Sequence, residues 1–235
     1  MVSEKTALVS ADMPESTCSI FGNLGYGCVR LPGFDALAKP VSSHPDMLFS
    51  RLSDGKLLCD AEYYRQNKHL LDALGVQMVV SERALGKEYP RDIAFDALIF
   101  EDCIYGRLDA LAPEIIEEPK VLINVKQGYA LCSTLVTDRC AVTADSGIYD
   151  ALKNNGVDVL KTTSEGVRLE GYGCGFIGGA SAFDPCSNTV IFFGNVTEHP
   201  DYGELRYFLS AHGHEIICDE TSPLTDFGGA KLIFR

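Results

Sequence analysis

Apolar and polar positions along this chain fall into a unit that recurs while its letters change. One copy runs Leu57-Leu58-Cys59, then Ala61 to Leu74, then Gly75 and Val76-Gln77-Met78-Val79-Val80. Its middle piece carries apolar residues at Tyr63, Leu70, Leu71 and Leu74, a spacing that predicts a helix with one buried face. Gly75 stands where a helix ends in a left-handed residue, and the β-branched run after it predicts a buried strand.

The same grammar returns along the chain. Ala141-Val142-Thr143 leads into a helix predicted from Ser146 to Asn155, then Gly156 and Val157-Asp158-Val159-Leu160. Val190-Ile191-Phe192-Phe193 leads into Pro200 to His212, then Gly213 and Glu215-Ile216-Ile217-Cys218. A further copy runs from Ala97-Leu98-Ile99-Phe100 through a helix over Leu108 to Glu118, stopped by Pro119, to Val121-Leu122-Ile123. Ahead of each lies another apolar stretch: Met47-Leu48-Phe49, Ile93-Ala94-Phe95, Tyr129 to Leu135 and Phe176 to Phe183. These predict the first strand of a hairpin, with turn chemistry at Ser53-Asp54-Gly55, Thr137-Asp138 and Asp184-Pro185.

The fifth copy uses both ends of the sequence. Lys231-Leu232-Ile233-Phe234 is a strand without a following partner, and Ala7-Leu8-Val9 is a strand without a preceding one. A short helix from Pro14 to Leu24, then Gly25 and Cys28-Val29-Arg30-Leu31, completes the unit. Pairing the two end strands covers sheet edges that would otherwise be open. The expected fold is therefore α/β: a five-bladed propeller of ββαβ units in one domain spanning 1–235. An open doubly wound sheet uses similar strand–helix grammar and is the alternative.

With 46% hydrophobic residues in 235, the chain can bury a full core. No apolar run is long enough to span a bilayer, and the polar N-terminus lacks a signal-peptide core, so a soluble cytoplasmic protein is expected. A net charge of −13 without a basic cluster argues against nucleic acid and anionic membranes as partners. That leaves small molecules, cationic ligands or proteins. The nine cysteines include no CxxC pair, so structural zinc is not expected, nor is any cofactor.

In a ring, chemistry collects where the first strands begin. Five such stretches carry polar or glycine residues: His44-Pro45-Asp46, Arg91-Asp92, Lys126-Gln127-Gly128 through Cys132, Gly175 to Gly179, and Asp226-Phe227-Gly228-Gly229. Cys132 is a candidate nucleophile and His44 a candidate base, since an imidazole near a thiol favours its reactive form. Asp46, two residues from His44, is expected on the same strand face and would orient the imidazole. Asp92, Lys126, Gln127 and Asp226 are candidates to line a substrate pocket. A lone cysteine in an apolar strand is more often packing than chemistry, and a histidine before proline is more often a loop residue.

Together these residues resemble the guanidino-group-modifying enzymes of the pentein superfamily. His44-Pro45-Asp46-Met47-Leu48-Phe49 is similar to that family's His-x-Asp-x-x-Phe stretch, and Gly128-Tyr129-Ala130-Leu131-Cys132 to its Gly-x-x-x-Cys. More closely, Val125 to Ala130 and Gly175 to Ser181 resemble an uncharacterised bacterial family of the same fold. The resemblance implies a five-bladed propeller with a Cys nucleophile and a His general acid/base at the central channel. Deiminases, dimethylarginine hydrolases and amidinotransferases are its enzymes. Where it implies Gly-Gly-Asp clamps for a guanidinium, this chain reads Gly178-Gly179-Ala180 and Gly228-Gly229-Ala230, the latter followed by Lys231. The expectation is a Cys/His-dependent hydrolase or transferase on a C–N bond (amidine, guanidine-like or amide), with the usual clamp acids missing. The alternatives are a non-catalytic ring that binds a small molecule or protein, and a redox-sensing thiol at Cys132 with Cys174 as partner.

Overall fold

The computed structural model describes residues 5–234 of the chain. It opens with β1 (Lys5–Ser10), α1 (Glu15–Asn23) and β2 (Tyr26–Leu31), and four complete units follow. The first holds the single helical turn α2 (Pro45–Leu48), β3 (Phe49–Arg51), β4 (Leu57–Asp60), α3 (Ala61–Ala73) and β5 (Met78–Ser81). The second holds β6 (Leu98–Phe100), β7 (Cys103–Gly106), α4 (Pro113–Ile116) and β8 (Val121–Asn124). Then come β9 (Thr134–Val136), β10 (Cys140–Thr143), α5 (Ser146–Asn154) and β11 (Asp158–Lys161). The last complete unit is β12 (Ser181–Asp184), β13 (Thr189–Phe192), α6 (Tyr202–Ala211) and β14 (Glu215–Cys218), and β15 (Lys231–Phe234) ends the described chain.

These strands make five three-stranded sheets of one design. In each complete unit the first strand pairs antiparallel with the second, and the second pairs parallel with the third across its helix. The fifth sheet takes its first strand from the far end of the chain. β15 pairs antiparallel with β1, Lys5 opposite Phe234 and Leu8 opposite Lys231, and β1 runs parallel to β2. The fold is the mixed α/β pentein propeller, with the split unit closing the ring.

Helix faces explain why the sheets stack as they do. Phe21 of α1, Tyr63 and Leu71 of α3, Ile148 and Leu152 of α5, and Leu205 and Leu209 of α6 are fully buried, each on one stripe of its helix. The glycines after α1, α3, α5 and α6, namely Gly25, Gly75, Gly156 and Gly213, are left-handed, as the sequence pattern requires.

The first strands depart from expectation in one consistent way. Of Met47-Leu48-Phe49 only Phe49 is in a strand, as the start of β3: Pro45, with its φ preset for a first helical position, starts a turn in which Leu48 N–H donates to His44 C=O at 3.1 Å. Ser133 N–H donates to Tyr129 C=O at 3.0 Å and Ala180 N–H to Phe176 C=O at 3.0 Å, so those stretches also begin as turns. In the second unit Ile93 lies in a short 3-10 turn, Leu98–Phe100 is the first strand rather than the second, and the helix expected over 108–118 is the single turn α4. The candidate residues His44, Asp46 and Cys132 therefore sit on turns that head the inner strands. A strand-face alignment of His44 and Asp46 does not occur.

Candidate active site

Short backbone bonds hold these turns in register. Asp46 N–H lies in the first turn of α2, where it has no partner within the helix, and it donates to Gly228 C=O at 3.0 Å. Gly179 N–H donates to Cys132 C=O at 2.9 Å, and Gly179 C=O accepts from Phe227 N–H at 3.0 Å and Gly229 N–H at 2.8 Å. Such closeness needs glycine. A Cβ on Gly179 would overlap the Asp226 carboxylate, and one on Gly228, where φ is +76°, would overlap the His44 side chain. The Gly-Gly pairs thus serve to draw the turns together around Cys132 and His44.

Carboxylates crowd the enclosed space. Cys132 Sγ donates to Asp46 Oδ2 at 2.7 Å. Asp96 Oδ1 accepts from the N–H groups of Leu131 and Cys132 at 2.7 and 3.2 Å, fixing the turn that carries the thiol. Asp226 accepts from Phe176 N–H and Gly228 N–H, both at 2.9 Å, and its Oδ1 is 3.8 Å from His44 Nδ1. His44, Asp46, Asp96, Cys132 and Asp226 are each 4% exposed or less. Yet His44 Nδ1, Asp46 Oδ1 and Asp96 Oδ2 are buried without a hydrogen-bond partner. Unpaired buried polar atoms carry a desolvation cost, so three in one place mark a site built for something else to contact.

Burial sets the protonation states. It pushes the Cys132 thiol well above its usual value, with Asp46, Asp226 and Asp96 adding to the effect. Burial and then Asp46 push Asp96 well up and Asp226 up to about 7. His44 is pulled below its ordinary value by burial, against the carboxylates of Asp46 and Asp12. The resting site thus favours a neutral thiol and a neutral imidazole.

The sequence-derived candidates divide into two groups. Cys132, Asp46, His44 and Asp226 come together, though not with the expected pairings. Asp46 bonds the thiol, and the ring nitrogen of His44 faces Asp226. Asp92, Lys126 and Gln127 make no hydrogen bond or ion pair with Cys132, His44 or Asp46. Asp92 accepts from Tyr129 Oη at 2.6 Å, Gln127 donates to Asp145 at 3.4 Å, and Lys126 is exposed. Sequence reasoning missed Asp96, although an acid inside Ile93-Ala94-Phe95-Asp96-Ala97-Leu98 is a signal in itself, since a carboxyl in an apolar run needs partners. Asp46, Asp96 and Cys132 place ligand atoms within 4.8 Å of one another, a donor set that suits a thiophilic divalent cation.

A cavity of about 620 Å³ extends from Asp46 between the inner strands β3, β6, β9, β12 and β15, so all five sheets contribute to its wall. Against this geometry, the model of a family of unknown function, DUF6873, matches residues 8–230. The chain belongs to that family. No curated sequence matches this DUF6873 chain. Its fold is similar to that of a cysteine-to-serine mutant of DDAH from Pseudomonas aeruginosa complexed with citrulline. The TM-score is 0.53 at 11% identity, covering 100% of both chains. It is also similar to SxtG, an amidinotransferase from Microseira wollei in the saxitoxin biosynthetic pathway. There the TM-score is 0.51 at 8% identity, over 95% of this chain and 91% of that one. Among the described residues no helix is long and apolar enough to cross a membrane.

Proposed function

We propose that this DUF6873 protein is a cysteine-dependent hydrolase or transferase that breaks a C–N bond of a small molecule at Cys132. The observation that carries the reading is the Cys132–Asp46 hydrogen bond of 2.7 Å, set beside buried unpartnered atoms of Asp46, Asp96 and His44, with Asp46 itself on the cavity wall. The two solved structures that share the fold support it. One is named an amidinotransferase, and the other holds citrulline, whose side chain is a ureido group.

In the proposed reaction, Sγ adds to the sp² carbon of an amide, ureido or amidine group while the thiol proton moves to Asp46. The C–N bond breaks, its electron pair leaves with nitrogen, and nitrogen takes up that proton through His44. An acyl- or amidino-thioester of Cys132 remains. His44, neutral at rest, then takes a proton from water, or from an acceptor amine in a transferase, as its oxygen or nitrogen attacks the carbon. The C–S bond breaks and the proton returns to Sγ.

Acid-quenched mass spectrometry after incubation with amide, ureido and amidine compounds tests this. A covalent adduct on the Cys132 peptide is expected, absent in Cys132→Ala and reduced at least tenfold in His44→Ala. The second reading, a ring that binds small molecules without chemistry, draws on the raised thiol. Thermal stabilisation by a compound that never leaves an adduct or turns over would favour it and sink the first.

A further inference from the structure

Lys231 opens β15 directly after the Gly228-Gly229-Ala230 segment that embraces His44 and Asp46. It lines the same cavity as Asp46. The groups that act on its ammonium are those of the site: burial lowers it, Asp46, Asp96 and Cys132 hold it up, and Arg51 opposes them. Arg51 is itself committed, donating to Leu232 C=O at 2.5 Å and Gly55 C=O at 3.4 Å. The Lys231 ammonium, by contrast, has no hydrogen bond and no carboxylate within ion-pair distance among the described residues. The site thus brings an ammonium without an ion-pair partner within electrostatic reach of unpartnered carboxylate oxygens, Asp46 Oδ1 and Asp96 Oδ2.

We infer that Lys231 makes this a site for neutral carbonyl C–N groups, an amide or ureido group whose oxygen faces the Lys231 ammonium and whose N–H groups face Asp46 and Asp96. The inference rests on the proposed C–N chemistry at Cys132 and narrows its substrate class. An amide or ureido group carries both an acceptor and donors, so it can satisfy both the ammonium and the carboxylates. A guanidinium or amidinium has donors only, and it would bring a positive charge against Lys231. When Sγ adds to a carbonyl carbon, negative charge grows on the oxygen, and an ammonium facing that oxygen stabilises it. Lys231 is then a specificity-determining residue. It stands one residue past Ala230, the position at which the resemblance to guanidino-modifying enzymes implies the acid of a Gly-Gly-Asp clamp.

A matched pair of electrophiles reads this directly. 2-Chloroacetamide is neutral and carries a carbonyl; 2-chloroacetamidine is its cationic isostere. Each alkylates a thiol by forming an S–C bond as chloride leaves. Rates at Cys132, resolved by peptide mass spectrometry and divided by each reagent's rate with glutathione at the same pH, remove intrinsic reactivity. In wild type the normalised preference for chloroacetamide is expected to be at least tenfold. In Lys231→Met it is expected to vanish or reverse, and in Lys231→Arg to survive, with thermal melts showing that each variant folds. A wild-type preference for the amidine, or a ratio unchanged in Lys231→Met, overturns the role of Lys231 and leaves the Cys132 chemistry standing. Cys132 unlabelled by both reagents, in protein whose exposed Cys174 labels, overturns the underlying reading and this inference with it. If Lys231→Met does not fold, the wild-type ratio and Lys231→Gln decide the question.

Discussion

The Cys132 thiol has one hydrogen-bond acceptor, and that acceptor is ionisable. This gives Asp46 two effects of opposite sign. Its charge makes the thiolate harder to form, while its oxygen is placed to take the proton when Sγ attacks. Asp46→Asn separates them. The amide oxygen still accepts from S–H, but the charge is gone. Alkylation of Cys132 at pH 8 is expected to rise severalfold, since each unit of pKa is a factor of ten in thiolate. Turnover is expected to fall by ~100-fold, the usual scale for losing a positioned proton acceptor. A packing role for Asp46 would leave both unchanged. Asp226 offers a second test, through stability. Burial raises its pKa to about 7, so between the ordinary carboxyl value and 7 the folded chain holds a proton that the unfolded chain has lost. Its stabilising contribution is complete at low pH and is lost as pH rises through 7, at roughly 1.4 kcal/mol per pH unit across that window. Asp226→Asn does not titrate. Urea unfolding at pH 4.5, 6 and 7.5 should therefore show the wild type losing ground to the variant as pH rises, and parallel pH profiles would refute the assignment.

At the scale of elements, Asp60 joins a helix to the loop that follows β5. Its Oδ1 caps α3 by accepting from Glu62 N–H at 2.7 Å and Tyr63 N–H at 3.0 Å, while Oδ2 accepts from Leu85 N–H at 2.9 Å. The loop from 81 to 91 is thus anchored at buried Leu85. Asp60→Ala should cost about 1–2 kcal/mol for the cap. It should also speed amide exchange over residues 82–92 more than elsewhere, which hydrogen-exchange mass spectrometry would detect; uniform acceleration would mean Asp60 is only a cap. The long elements were legible in sequence because α3, α5 and α6 repeat their apolar stripe over several turns and end in glycine. The turns heading the inner strands were not. Four residues such as Pro45–Leu48 carry no period, and their apolar letters read equally well as a strand. Pro45 was the available signal, since proline fits a first helical position. The site was half legible for the same reason. Cys132, His44, Asp46 and Asp226 could be picked out by residue type at strand entries. The pairing of Asp46 with the thiol depends on a turn, Asp96 depends on the packing of its loop against the turn that carries Cys132, and Lys231 depends on which inner strands share the cavity.

The whole molecule depends on closure. Five sheets line one cavity only if β15 returns to β1, and β15 brings with it Asp226, the Gly228-Gly229 segment that cradles His44, and Lys231. Assembly of the complete site therefore requires closure of the ring. The pairing is short, with four residues of β15 opposite β1, so much of its strength must come from side chains. Ile233 is the natural probe. It is 3% exposed, lies opposite Thr6, and joins the cluster that includes Leu8, Leu31 and Phe49, tying the closing strand to the neighbouring unit. Ile233→Ala should cost about 2–4 kcal/mol, the range for truncating a buried aliphatic side chain. If closure couples the units, far-UV circular dichroism and the labelling rate of Cys132 should report the same shifted urea midpoint, because opening the β1–β15 seam also dismantles the wall around the thiol. Labelling of Cys132 at lower urea than the loss of helix would mean that the seam opens on its own, and that the other four units stand without it.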